Sequence, residues 1–352
     1  MKRFAICLFV IVVLSLAGAG YVAWQKITTL DMLTLNIAQP IEFEVKPGSN
    51  LYKVVEQLRD YGDIDELGVK LWLKVHPEFQ NIQSGVYEIP VNSRFVDVVT
   101  MISNGTVKQF SITLIEGLTA NQWLEALSSS EGLEHDLVEP STLYSLLNIS
   151  DESFCANAYA SVEGCLLPDT YFYTKGTKSS EIIRRSHESM GKFVKEIWPS
   201  RFKDIPINTP YEALILASII EKETAIESER SEIAGVFVNR LDKNMRLQTD
   251  PTVIYGIGKD FDGNITRKHL RTPTPYNTYV IKGLPITPIA MANKASIEAA
   301  LFPALTDSLY FVATGTGGHQ FSTNLADHNK ALRRYLQQLK RNNADNNSSN
   351  RN

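Results

Sequence analysis

The stretch "NTPYEALILASIIEKETA", residues 208–225, decides how the larger part of the chain folds. Thr209 is a natural N-cap, Pro210 suits the first helical position, and Glu212 stands where it completes a capping box. A helix therefore begins at Pro210. At about 100° per residue, Leu214, Ala217, Ser218, Glu221 and Ala225 share one stripe. Ile215 and Ile219 lie to one side of it, with Leu216, Ile220 and Glu223 on the opposite half. The helix is apolar nearly all round as far as Ile220, which predicts burial inside a sizeable domain.

Glu221 leaves this helix on the face with the smallest residues. Ala217 and Ser218 lie one turn back, where a helical side chain leans. A small-residue floor under one carboxyl leaves space for a substrate. Partial desolvation keeps a proton available near neutral pH, the environment of a general acid. The competing reading is a structural glutamate bonded to an arginine or to backbone groups at the helix end, because structural ion pairs also perturb carboxyls. Ser218 and Lys222 invite a serine–lysine nucleophile, but they stand four apart where SxxK enzymes use three. Glu223 lies about 200° round the helix from Glu221, so it cannot be a partner across one sugar ring.

Polar and aromatic residues gather downstream. In "AGVFVNRLDKNMRLQTDPTVIYGIG" an amphipathic helix ends near Arg240 and a turn follows at Gln248–Pro251. Asn239, Arg240, Gln248 and Asp250 can hydrogen-bond sugar hydroxyls or amides. "TPTPYNTYVIKGLPITPIA" adds Tyr276, Asn277 and Tyr279 between Pro-rich turns. Rings beside amides suit the apolar faces and N-acetyl groups of amino sugars, and they serve equally as loop packing. The glycines of "GTGGHQFSTNLADHN" are followed by no lysine, which excludes a P-loop phosphate cradle.

The 352 residues leave room for about two domains. With 43% hydrophobic and 21% charged residues the composition is that of a globular protein. A net charge of −4 argues against nucleic acid, whose binders carry a basic stripe. Six scattered histidines in no HExxH or paired CxxC spacing call for no metal, and nothing calls for another cofactor. Lys2 and Arg3 precede an uncharged apolar run from Phe4 to Trp24, long enough to cross a bilayer. Basic residues on the short side place the bulk outside the cytoplasm. Ala17-Gly18-Ala19 allows a cleaved signal peptide instead, but the run outlasts that site, which favours a retained anchor over residues 1–25. Cys155 and Cys165 lie in the exported part, where they form a disulfide or remain two small core residues.

Beyond the anchor, "IEFEVKPGSNLYKVVEQL" reads as strand, Pro-Gly turn and helix capped by Ser49 or Asn50. Forty-four positions later "VYEIPVNSRFVDVVTMI" repeats the pattern, Phe43 matching Tyr87 and Glu44 matching Glu88. These two units predict a small α+β subdomain over residues 39–108. A larger α+β domain follows over 109–338, opening on a strand and a helix capped at Thr119. It continues through a buried irregular segment around Pro168 and a helix capped by Ser179 or Ser180. Residues 339–352, "KRNNADNNSSNRN" with the preceding Leu339, read as a disordered tail.

In order, "LASIIEKET", "GVFVNRL", "LQTDPTVIYG", "YNTY", "GLPITPIA" and "GGHQFS…DHN" resemble the YceG-like family of endolytic murein transglycosylases. "VEGCLLPDTY" is similar to that family's E-G-x-L-x-P-D-T-Y segment. The resemblance covers nearly all of the chain after the anchor. It implies an α+β enzyme with one transmembrane helix in the inner membrane, a LysM-like subdomain and a catalytic domain facing the periplasm. The family's catalytic glutamate maps onto Glu221. Sugar-binding roles for Ser218, Asn239, Arg240, Gln248, Asp250, Tyr276, Asn277 and Tyr279 remain expectations from motif and position. Asp327 stands where the family commonly has Glu, and Cys165 where it commonly has a bulky residue.

The implied reaction cuts peptidoglycan strands internally between N-acetylmuramic acid and N-acetylglucosamine and leaves 1,6-anhydro ends. Association with glycan-polymerising and division machinery is implied in the same way. A retaining or inverting hydrolase using Glu221 with Asp250, and a non-catalytic wall-binding scaffold, are the alternatives.

Overall fold

The apolar N-terminal run forms one continuous helix, α1 (Lys2–Met32), of 31 residues. It is long and apolar enough to cross a membrane. The computed structural model describes residues 2–137 and 139–349 of a mixed α+β chain. The chain divides into two units. One holds the residues up to Ser111 with Glu131–Leu133 and Phe172–Thr177, and the other holds the rest.

In the first unit, α1 is followed by β1 (Ile41–Val45), α2 (Leu51–Leu58), α3 (Glu66–Val75), β2 (Gly85–Ile89) and α4 (Phe95–Asn104). The two strands pair antiparallel, with Phe43 opposite Tyr87. Glu44 faces Val86 and Glu42 faces Glu88. Asn50 rather than Ser49 caps α2, accepting from the Lys53 N–H at 3.1 Å. Between the repeats the structure adds α3, capped by Asp65 and burying Val69, Trp72 and Leu73. The Trp72 indole donates to Asp31 at 2.7 Å, Leu30 is buried in the same core, and Lys26 pairs with Asp65 at 2.7 Å. Thus α1 runs on past residue 25 and its last turns belong to the folded unit.

The second unit takes up the chain along β3 (Phe110–Leu114) and continues with α5 (Ala120–Ser128), α6 (Leu143–Leu146), β4 (Asp169–Tyr173), α7 (Ser179–Ile197), α8 (Pro210–Glu223) and α9 (Arg230–Asp242). After these come α10 (Asp250–Ile257), α11 (Arg267–Arg271), α12 (Lys294–Leu301), β5 (Tyr310–Ala313), β6 (His319–Ser322) and α13 (Leu325–Ser349). Strand β3 pairs with β4, and β5 pairs antiparallel with β6. The core is built on α8, with α9 and α12 against it and Ala213 to Ile220 wholly buried.

Three local expectations are modified. The segment around Pro168 is buried and irregular through Leu167, but 169–173 is a strand whose Tyr171 and Tyr173 point inward. Its period of two is hidden in a run of aromatics. Helix α7 is not capped by its own serines, because the Asp136 carboxylate accepts from both the Ser180 N–H (2.9 Å) and hydroxyl (2.6 Å). The boundary expected at 339 falls inside α13, whose backbone is helical to Ser349, and residues 350–352 lie outside the described residues.

Candidate active site

Helix α8 begins as its sequence dictates. The Thr209 hydroxyl accepts from the Glu212 N–H at 3.1 Å, and Pro210 occupies the first turn. The Glu212 carboxylate reaches one residue further back than a capping box requires, accepting from Asn208 N at 2.6 Å. At the other end Thr224 turns extended and stops the helix, which exposes its last carboxyls to a cavity of about 400 Å³. One wall is Glu116, Gly117 and Leu118; Glu221, Glu223 and Arg230 border it from the other side.

The Glu221 side chain is only 4% exposed. Its Oε2 accepts from the backbone N–H of Asn293 at 2.9 Å. Its Oε1 faces Arg230 Nη2 at 3.9 Å, beyond hydrogen-bond length. One turn back, the Ser218 hydroxyl is fully buried, donating to Ile215 O at 2.7 Å and accepting from Ile289 N at 3.0 Å. The stripe of α8 therefore fastens the 289–293 segment at two points. That segment in turn pairs with the opposite wall, Gly117 N to Met291 O (2.8 Å) and Met291 N to Leu118 O (2.9 Å). Lys222 Nζ donates to Gly117 O at 3.0 Å, away from Ser218.

Glu223 borders the same cavity but turns to a separate corner. It accepts from the Thr249 hydroxyl, and burial pushes its carboxyl above the usual range with the Asp250 charge adding to the effect. Asp250 accepts from the Tyr279 hydroxyl at 2.6 Å. Gln248, exposed and at φ 53°, donates its N–H to Thr278 O at 3.1 Å. Gln248, Asp250 and Tyr279 are thus gathered in one corner with Glu223.

The other expected binding residues face inward. Asn239 Nδ2 donates to Thr306 O (2.7 Å) and Ser308 O (3.0 Å). Arg240 donates to Leu309 O (2.6 Å) and Leu247 O (2.7 Å). Asn277 Nδ2 holds His269 O and Thr272 O, and the Tyr276 hydroxyl meets Thr287 Oγ1 at 2.9 Å. Asn239 and Arg240 thereby hold residues 306–309 to α9, while Tyr276 and Asn277 tie the stretch 269–287 to itself.

Glu163 is a residue that sequence reasoning passed over, although a lone carboxyl in "VEGCLL" is itself a signal. It is 5% exposed, accepting from Ala120 N at 3.0 Å and from the Tyr255 hydroxyl at 3.1 Å. Burial pushes its carboxyl up to about 7. The same burial raises the phenols of Tyr211, Tyr255 and Tyr276. The next residue, Gly164, has φ 74° and lies so close to Pro288 that a Cβ would meet that ring at 2.5 Å. Cys165 is joined to Cys155 in a disulfide with Cα atoms 5.8 Å apart, packed on Tyr211 and Ile215 of α8. Arg230 and Asn293 also escaped notice, since their proximity to Glu221 is set by tertiary packing.

The family model of the YceG-like family matches residues 43–334. The chain is 34% identical over 266 residues to the endolytic murein transglycosylase of Bacillus subtilis, covering 72% of this chain and 73% of that protein. It is 25% identical over 369 aligned positions to the endolytic murein transglycosylase of Streptococcus pneumoniae, covering 96% of this chain but 66% of the pneumococcal one. A YceG-like protein of Listeria monocytogenes, known from a crystal structure, superposes with a TM-score of 0.55 at 29% identity, covering 84% of this chain and 99% of that one. A family match over most of the length, together with close relatives and a shared fold, shows that the chain belongs to the YceG-like family.

Proposed function

We propose that the protein is an endolytic peptidoglycan lytic transglycosylase with Glu221 as its acid and base. The geometry of Glu221 carries the reading: one carboxyl oxygen is fixed by a backbone N–H while the other fronts a sugar-sized cavity. The arginine and backbone partners of a merely structural glutamate are both present, but Arg230 stops short of a hydrogen bond. The curated relatives named as murein transglycosylases favour the catalytic reading.

In the reaction the Glu221 carboxyl donates its proton to the glycosidic oxygen as the bond to the muramyl C1 breaks. The muramyl C6 hydroxyl then forms a bond to C1 and gives its proton to the Glu221 carboxylate, which restores the acid. No water enters and no second carboxylate is required. Run in oxygen-18 water on purified strands, the reaction should give new muramyl ends that carry no label and are lighter by one water than a hydrolysed end. A labelled reducing end would make the protein a hydrolase and turn attention to Asp250.

Helix α1 serves as a single-pass anchor, with Lys2 and Arg3 in the cytoplasm and the chain beyond its apolar run in the periplasm. The β1–β2 ribbon carrying α2 and α3 between its strands supports a LysM-like, wall-binding first unit. Held at the membrane, the enzyme would cut strands where the polymerising and division machinery extends them. Recovery of a soluble mature chain beginning after Ala19 would overturn the anchor.

A further inference from the structure

Arg230, the first residue of α9, lies where two cavities meet. It borders the Glu221 cavity and also a second of about 400 Å³ edged by Glu227, Glu298 and Phe302. Its side chain is 11% exposed, and its charge partner Glu221 stands 3.9 Å away. Its Nε is buried with no hydrogen-bond partner. A guanidinium presents a rigid fork of donors matched to carboxyl oxygens, and a buried donor left open is costly. The outer end of the fork borders the Glu221 cavity, and its Nη2 stops short of a hydrogen bond to Glu221, so it is placed to take an acceptor brought by the ligand.

The chemistry of the glycan says which acceptor. The two sugars alternate through similar linkages, and the muramyl sugar differs by its 3-O-lactyl group. An anhydro-muramyl product forms only when the muramyl C1, rather than the glucosaminyl C1, stands at Glu221. A donor beside Glu221 that reads the lactyl group therefore chooses the bond. We propose that Arg230 is a substrate-binding residue that donates from its Nη groups to the lactyl carboxyl or carbonyl oxygen and so sets which glycosidic bond is cut. This rests on the peptidoglycan reading above.

The lactyl oxygen occurs as an amide carbonyl on strands bearing stem peptides and as a free carboxylate on strands stripped by an amidase. The test compares these two substrates with stripped strands whose lactyl carboxyl has been reduced to an alcohol. For the wild type, KM on the reduced strand should exceed that on at least one of the other two by about tenfold or more, the worth of a charge-assisted hydrogen bond. Arg230→Lys, which keeps the charge and loses the fork, should erase that preference mainly through KM. Loss on both lactyl forms, or on one alone, supports the assignment and identifies the source of the oxygen. Equal KM on all three strands for the wild type, a measurement that needs no variant, overturns it. A variant that retains the wild-type preference overturns it as well. Failure of the wild type to cleave any strand would instead refute the peptidoglycan reading.

Discussion

The backbone N–H of Asn293 lies 2.9 Å from Oε2 of Glu221, tying the residue before α12 to the last turn of α8 across 72 positions of sequence. This bond fixes one carboxyl oxygen, and the proposed acid–base role falls to the other. Glu221→Gln keeps an acceptor for Asn293 but removes the proton. Activity should fall by about 10²–10⁴-fold. The change leaves the Arg230 charge facing a neutral amide, at a cost of up to roughly 3 kcal/mol. A domain stable by about 5–15 kcal/mol remains mostly folded after such a loss. Activity measured beside a melting curve separates the two effects, and activity that simply tracks the folded fraction would refute the catalytic role.

Glu163 makes stability depend on pH. Its folded carboxyl titrates at about 7 against an ordinary value of 4.5, so the unfolded chain loses this proton first. Stability from this group is full below the lower value, declines as pH rises, and is lost above about 7, by roughly 3 kcal/mol in all. The groups facing it are the phenols of Tyr211, Tyr255 and Tyr276, which burial holds neutral. Glu163→Gln keeps an acceptor for Ala120 and Tyr255 and should flatten the melting temperature between pH 5 and 8, raising it most at the alkaline end. An unchanged slope would show that Glu163 titrates normally.

The Cys155–Cys165 bridge closes a loop with a separation of 10 residues. Such a loop contributes about 2–3 kcal/mol. The denatured protein should therefore expose only Cys7 to a thiol reagent before reduction and all three cysteines after it. Because the bridge packs on Tyr211 and Ile215 of α8, reduction should lower the melting temperature. Equal labelling before and after would exclude the bond.

Gly164→Ala would force a side chain onto a backbone at φ 74° and into Pro288. Pro288 immediately precedes the segment that Ser218 and Glu221 fasten, so the displacement should reach the site. A loss of about 1–3 kcal/mol is expected, with activity falling more than folded protein does. Wild-type activity in this variant would show that the 288–293 segment tolerates movement.

What could be read from sequence was what local physics determines. Thr209, Pro210 and the apolar period fixed α8 because caps and burial stripes act within a few residues. The environment of Glu221 could not be read in full, since Arg230 and Asn293 reach it only through the packing of α9 and α12. Asn239, Arg240 and Asn277 show why polar residues are ambiguous in sequence: an amide or guanidinium looks the same whether its acceptor is a sugar or a distant carbonyl such as Thr306 O or Leu309 O. Helix α3 was missed because its buried face rests on Val69, Trp72 and Leu73, too short a stripe to stand out.

The continuity of α1 into the first unit removes slack. A bilayer core takes up about 20 helical residues, and Lys26 and Leu30 are already engaged with the folded unit. Roughly one or two turns, on the order of 10 Å at most, separate lipid from protein. With α1 in a bilayer the first unit is mounted on a stub rather than a tether. So mounted, it stays close to the membrane surface, and lengthening the stub by inserted helical turns would raise its height by a set increment.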